Sequence, residues 1–168
     1  MEDLGAQGVD TFVIIGAAGG LQRTLTAGHV VVCDAALRDE GTSHHYLPPG
    51  RWARPDQALT DQLHDQISNG TPGLGRGSTW TTDAPYRETL EELRAYRSEG
   101  ILTVEMEAAG LFAAAETRGY SAAAAFVVAD LLADTGWSGI TKVDKVRDQL
   151  TAVTEAAIAT LHERATAR

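Results

Sequence analysis

Short apolar runs and amphipathic stretches alternate along this chain, and their periods set the expected elements. Thr11-Phe-Val-Ile-Ile15 and His29-Val-Val-Val-Cys33 are β-branched runs with no polar interruption, the profile of strands buried on both faces. The first leads into Gly16-Ala-Ala-Gly-Gly20, which reads as a tight turn. Residues 38–54 mix Gly, Pro, Ser, His and charge without a period and read as a loop of functional length. Pro55 opens a helix with Leu59, Leu63 and Ile67 on one face, and Gly70 stops it. A strand is expected around Gly77 to Trp80. A helix then runs from Pro85 to about Ser98 with Leu90 and Leu93 on one face. Ile101 to Glu105 reads as a strand, Glu107 to Arg118 as a helix closed by Gly119, and Ala122 to Ala129 as a buried strand. Thr141, with Asp144 three residues on, caps a last helix whose buried stripe is Val143, Val146, Leu150, Val153, Ala157 and Leu161. Strands alternating with helices predict one α/β domain over residues 1–168, with a largely parallel or mixed central sheet.

Composition narrows the class. Hydrophobic content of 43% with 22% charged residues is that of a globular chain. A net charge of −9 argues against a nucleic-acid backbone or an anionic membrane as partner, so a bound anion would need a local pocket. Cys33 is the one cysteine, which excludes an internal disulfide and fits a reducing cytoplasm. The acidic N-terminus, MEDLGAQGVD, does not read as a signal peptide, and no apolar run reaches membrane-spanning length.

Candidate chemistry concentrates at the ends of the expected strands. Glu105-Met106-Glu107 puts two carboxylates around a methionine where a strand gives way to an alanine-rich helix. Carboxylates accept hydrogen bonds from sugar hydroxyls, and a thioether offers an apolar surface to a ribose face. The same spacing also suits a helix start whose acids favour the dipole. Gly16 and Ala17 follow a strand, where backbone N–H groups can converge on an anion; the segment is neither G-x-G-x-x-G nor a P-loop, and a plain tight turn fits as well. Asp130 directly follows Phe126-Val-Val-Ala129, at the sheet edge where α/β proteins bind ligands, or it caps the next segment. His44 and His45 are adjacent in a loop and point apart, with no cluster to complete a site, so no metal is expected. Trp52, Trp80 and Trp137 are expected to pack.

Taken in order, TFVIIGAAGGLQ, AGHVVVCDAALRDEGTSHHYLP, STWTTDAPYRET, VEMEAAGLFAAAETRG and FVVAD resemble the superfamily of purine nucleoside phosphorylases and uridine phosphorylases, which also contains nucleosidases. The resemblance covers nearly the whole chain. It implies a mixed sheet curling toward a barrel, flanked by helices, and assembly as a homo-oligomer, a dimer or a ring of dimers. It also implies a small nucleoside as partner, phosphate as co-substrate and no cofactor. Position by position, Met106 and Glu107 match residues that line the ribose, with Glu105 beside them. Asp130 matches the aspartate that protonates a leaving purine. Pro85 and Tyr86 fall at the base-stacking segment, and Gly16 and Ala17 at the phosphate turn. Uridine-type enzymes carry Gln and Arg where this chain has Thr89 and Glu91, which points toward purine.

Two departures accompany the resemblance. Ala17 stands where the family usually has a Ser or Thr hydroxyl for phosphate. The match also begins inside the family pattern, so the early strands, a Gly-Asp-Pro-type loop and the phosphate arginines find no counterpart here, and unpaired sheet edges are expected. Three readings follow: a nucleoside phosphorylase releasing base and ribose 1-phosphate, a nucleosidase using water, or a remodelled non-catalytic relative.

Overall fold

The computed structural model describes residues 1–68, 71, 73–133 and 136–166. A short helix α1 (Glu2–Gly5) precedes the strands β1 (Thr11–Gly20) and β2 (Val30–Asp39). A 3-10 turn (Thr42–His45), β3 (Trp52–Ala53), α2 (Gln57–Ser68) and β4 (Leu74–Thr82) follow. A second 3-10 turn (Pro85–Arg87), α3 (Leu90–Ser98), β5 (Thr103–Glu105) and α4 (Ala108–Arg118) lead to β6 (Ser121–Ala133), β7 (Gly136–Trp137) and α5 (Val143–Thr166).

The strands form one mixed sheet in the order β3-β2-β4-β5-β1-β6-β7, and a further pairing of β2 with β6 joins β2, β4, β5, β1 and β6 into a ring. The result is a barrel-like sheet flanked by helices. β1 runs parallel to β6, β2 to β4 and β4 to β5, while β1–β5 and β2–β6 are antiparallel. The continuous apolar character of β6 has a direct cause: Ala123, Ala125 and Val127 pack toward α2 and α5, while Ala122, Ala124 and Phe126 pack toward α4. With both faces covered, alternation of polar and apolar residues has no place to appear. A third cluster, Leu21, Leu37, Trp80, Leu93, Ile101 and Val104, seats α3 against the strand ends.

Several expectations are met closely. Leu59, Leu63 and Ile67 are all buried on α2, which the Asp56 carboxylate caps by accepting from Leu59 N–H at 2.7 Å. Gly119 closes α4 in the left-handed conformation, with φ of 70°, where an L side chain would be strained. Gly70, expected to stop α2, lies outside the described residues.

Others are corrected. Gly16 to Gly20 is no turn: β1 continues through it, with Gly16 and Ala17 paired to Phe126 and Val127 of β6. Small residues serve here because the strand is crowded; a Cβ on Gly20 would come within 2.8 Å of Leu131. β2 likewise extends to Asp39, into the expected loop. The rest of that loop is tied down by Arg38, whose guanidinium donates to Ser43 Oγ at 2.8 Å and to the carbonyls of Ser43, Leu47 and Pro48. Arg38 is therefore a structural residue. The last helix begins at Val143, with Val146 N–H bonded to Lys142 O, and leaves Val143 exposed; Thr141 instead donates its N–H to Ala129 O. Among the described residues, no strand pairs the second edge of β1 from Thr11 to Ala18, since β5 meets only Gly19 and Gly20. No described helix is long and apolar enough to cross a membrane.

Candidate active site

A cavity of about 630 Å³ opens where β1, β4, β5 and β6 end, between α3 and the β6–β7 hairpin. Its wall brings together Ala17, Pro85, Tyr86, Glu105, Met106 and Asp130, residues far apart in sequence. Gly16 and Glu107 are not part of that wall. A volume of this size suits a small ligand, which typically needs about 300–1,000 Å³.

Asp130 reaches the cavity through a local irregularity. Ala18 pairs with Val128 but Gly19 pairs with Asp130, so β6 carries one extra residue, Ala129, at a bulge. Consecutive residues of a regular strand face opposite sides; here Ala129 and Asp130 both line the cavity. Gly19 makes the room, since a Cβ there would sit 3.3 Å from Asp130 Oδ1 and 2.7 Å from Leu132. The Trp137 indole N–H donates to Asp130 Oδ2. Trp137 is thus not the packed core residue expected: it is 67% exposed and stands over the cavity wall. Arg97 braces the same region, its guanidinium donating to Leu21 O at 2.7 Å and to Leu132 O at 2.6 Å.

Glu105 sits differently. It is 5% exposed, and both of its oxygens accept from protein donors. Thr81 Oγ1 donates to Glu105 Oε1 at 2.5 Å, while the backbone N–H groups of Glu107 and Ala108 donate to Oε2 at 2.7 and 2.8 Å. The carboxylate therefore ties β4 to the first turn of α4 and satisfies two donors that a helix start leaves open. Burial pushes its carboxyl above the ordinary value, opposed by those three donors. Met106, next in the chain, is 47% exposed on the cavity rim. Glu107 occupies the N-cap position of α4 without a side-chain cap bond, and its side chain is exposed.

Also on the wall, Pro85 starts the 3-10 turn and Tyr86 is fully exposed. Thr89 caps α3 in a reciprocal box with Glu92, donating its hydroxyl to Glu92 Oε2 at 2.7 Å and accepting from Glu92 N–H at 3.2 Å. Glu91 is exposed and lies off the wall. Between them the wall holds Glu88, which sequence reasoning passed over: it has no periodicity to mark it, only its place in the segment matched to base stacking. Desolvation, with the nearby charges of Asp130 and Glu92, raises the Glu88 carboxyl above its ordinary value. The described wall therefore carries three acids, Glu88, Glu105 and Asp130, and no Arg, Lys or His. Among the described residues no cluster of three or more His, Cys, Asp or Glu could hold a metal ion. Cys33 is buried, and burial disfavours its thiolate.

A barrel-like mixed sheet whose strand ends surround a cavity walled by acids and aromatic residues is an α/β architecture with a pocket of small-ligand size. The Phosphorylase superfamily matches residues 2–163, and the chain belongs to this superfamily of purine nucleoside and uridine phosphorylases. It is 33% identical over 124 residues to the guanosine phosphorylase of Halorubrum lacusprofundi, covering 74% of this chain and 52% of that one. It is 29% identical over 127 residues to the uridine phosphorylase of Haemophilus influenzae, covering 67% and 50% respectively. The fold superposes on a P. knowlesi homologue of the P. falciparum PNP with a TM-score of 0.79 at 22% identity, covering 96% of this chain and 66% of that one. The chain thus spans about half the length of these curated relatives.

Proposed function

We propose that the cavity binds a nucleoside, a purine nucleoside by preference, and cleaves its N-glycosidic bond with phosphate to give free base and ribose 1-phosphate. The observation that carries this reading is the meeting of Met106, Asp130 and the Pro85–Tyr86 segment on the wall of one cavity. Such bonds break through an oxocarbenium-like sugar, so carboxylates nearby stabilise developing positive charge. The base leaves once a proton reaches it, and Asp130, at the wall with its second oxygen not taken by Trp137, is the group to deliver it. Met106 offers its thioether to the ribose face; Glu107, exposed at the N-cap of α4, lies off the cavity wall. Thr89 is occupied in its capping box and Glu91 is not among the wall residues, so neither supplies the Gln- and Arg-type contacts of the uridine pattern. This supports the purine preference, as does the guanosine phosphorylase relative.

Phosphate is the weak partner in this scheme. The described wall offers it no cation, Ala17 no hydroxyl, and the Gly16–Ala17 segment is a strand with only alternate amides free of β6. That observation favours a second reading, hydrolysis of the same bond by water. Free-base release from a nucleoside panel, with and without phosphate, decides between them. Release that requires phosphate supports phosphorolysis, release indifferent to phosphate supports hydrolysis, and no release from a folded protein refutes both.

A further inference from the structure

Trp137 is the aromatic side chain that bonds directly to the candidate acid. Its indole N–H donates to Asp130 Oδ2, and among the described residues it is the only donor Asp130 has. The β6–β7 hairpin holds the ring there. Leu132 and Trp137 are cross-strand partners, Ser138 N–H donates to Leu131 O, and Leu131 N–H donates to Ser138 Oγ, both at 3.0 Å. Arg97, reaching from α3, donates to Leu132 O in the same hairpin. A tryptophan left 67% exposed forgoes most of the burial that ordinarily places such a ring, so the bond to Asp130 is what its position provides. Gly19 completes the arrangement. It lines the cavity, and a Cβ there would stand 3.3 Å from Asp130 Oδ1, so the absent side chain leaves that oxygen uncovered on the β1 side. The two oxygens of Asp130 are therefore unlike: Oδ2 is taken and Oδ1 is open.

We propose that Trp137 is the positioning residue of this site, orienting the Asp130 carboxyl so that Oδ1 carries the proton delivered to the leaving base. The inference rests on the nucleoside-cleaving reading given above, and it holds for phosphate and water alike. An indole N–H can only donate, and the better acceptor of a protonated carboxyl is its carbonyl oxygen. Bonded to Trp137, Oδ2 takes that carbonyl role, which leaves the O–H on Oδ1. In the step itself the Oδ1–H bond breaks as the base nitrogen takes the proton. The glycosidic C–N electron pair passes into the base, phosphate or water adds to the sugar carbon, and Asp130 ends as a carboxylate. The indole N–H then supports the charge that Asp130 acquires, because a hydrogen bond to an ionised acceptor is stronger than one to a neutral acceptor. Trp137 touches neither the base nitrogen nor the sugar carbon in this scheme, so it acts through Asp130.

Two measurements test this role. The first follows the indole N–H signals of the full chain by proton–nitrogen NMR, with Trp137 assigned by its loss in Trp137→Phe. The Trp137 signal is expected to move upfield in Asp130→Ala, where the acceptor is gone, while that of Trp80, bonded to Asp39 Oδ2 at 2.9 Å, stays in place. A Trp137 signal indifferent to Asp130→Ala overturns the proposal. The second is kcat and KM on guanosine and on N7-methylguanosine, whose base already carries a positive charge and leaves without taking a proton. Trp137→Phe is expected to lower kcat on guanosine several-fold, up to about tenfold, with KM little changed, and to leave kcat on N7-methylguanosine within about twofold of wild type. Trp137→His, which keeps a ring N–H, is expected to recover part of the guanosine loss. Equal losses on both substrates, or full guanosine activity in Trp137→Phe, overturn the positioning role. A wild type that releases no base from any nucleoside overturns the proposed function itself, and this inference with it, whereas equal losses on both substrates in an active enzyme overturn this inference alone.

Discussion

Glu105 and Asp130 invite direct comparison: Glu105 is the last residue of β5, Asp130 lies in the final paired stretch of β6, and each lines the same cavity. Glu105 spends both oxygens on Thr81 and the first turn of α4, in a site 5% exposed. Among the described residues Asp130 has one protein donor, Trp137, on a strand that carries the extra residue Ala129 at a bulge. One carboxylate builds the wall and the other faces what the wall encloses. On the function proposed above, the acid left for chemistry is the one with fewer described protein donors, and position in the chain does not tell the two apart.

The comparison can be broken by exchanging what each acid provides. Asp130→Asn keeps size and the ability to accept from Trp137 but removes the transferable proton. It should slow nucleoside cleavage by at least about a hundredfold, roughly 2.7 kcal/mol of barrier, while leaving the unfolding midpoint nearly unchanged. An equal rate would remove Asp130 from the chemistry. Glu105→Gln should act in the opposite sense. An amide cannot accept at both ends, so one or more donors are stranded, and denaturant unfolding should show a loss of about 1–3 kcal/mol.

The two acids should also differ in how stability follows pH. Folding raises the Glu105 carboxyl, so the folded state holds its proton over a window just above the ordinary value where the unfolded chain releases it. Stability from this group is present below that window and declines as pH rises through it. Urea midpoints measured across that range should show the decline in wild type and a shallower one in Glu105→Gln; parallel curves would contradict the assignment. Smaller effects belong to the neighbours. Trp137→Phe keeps the ring but loses the donor, and should lower kcat about tenfold at most with little change in stability. Met106→Ala, on the exposed rim, should raise KM a few-fold while kcat holds; an unchanged KM would take Met106 out of the ribose contact.

Much of this arrangement could be read from the residues. The runs at Thr11 and His29 are strands, the helix stripe on α2 is buried as its spacing requires, and VEMEAAG with FVVAD falls around one cavity. The features that were not legible depend on distant partners. Nothing within Phe126 to Asp130 announces a bulge, because the register of β6 is set by Gly19 and the residues of β1. The saturation of Glu105 depends on Thr81 from another strand, so Glu-Met-Glu alone could not show which acid is spent. In sequence the Gly16–Gly20 segment has the profile of a turn, because glycine serves both turns and crowded strands. Trp137 and Glu88 sit in a hairpin and a 3-10 turn, where no period marks a side chain as facing inward.

A structure of the chain bound to a purine nucleoside that Asp130→Asn cannot cleave is the most direct measurement of the central claim. It should show a nitrogen of the base within about 3.2 Å of residue 130, the ribose against Met106, and Glu105 still bonded to Thr81 and α4. A nucleoside seated away from residue 130, or a Glu105 that turns from its donors to the sugar, would contradict the division of labour between the two acids.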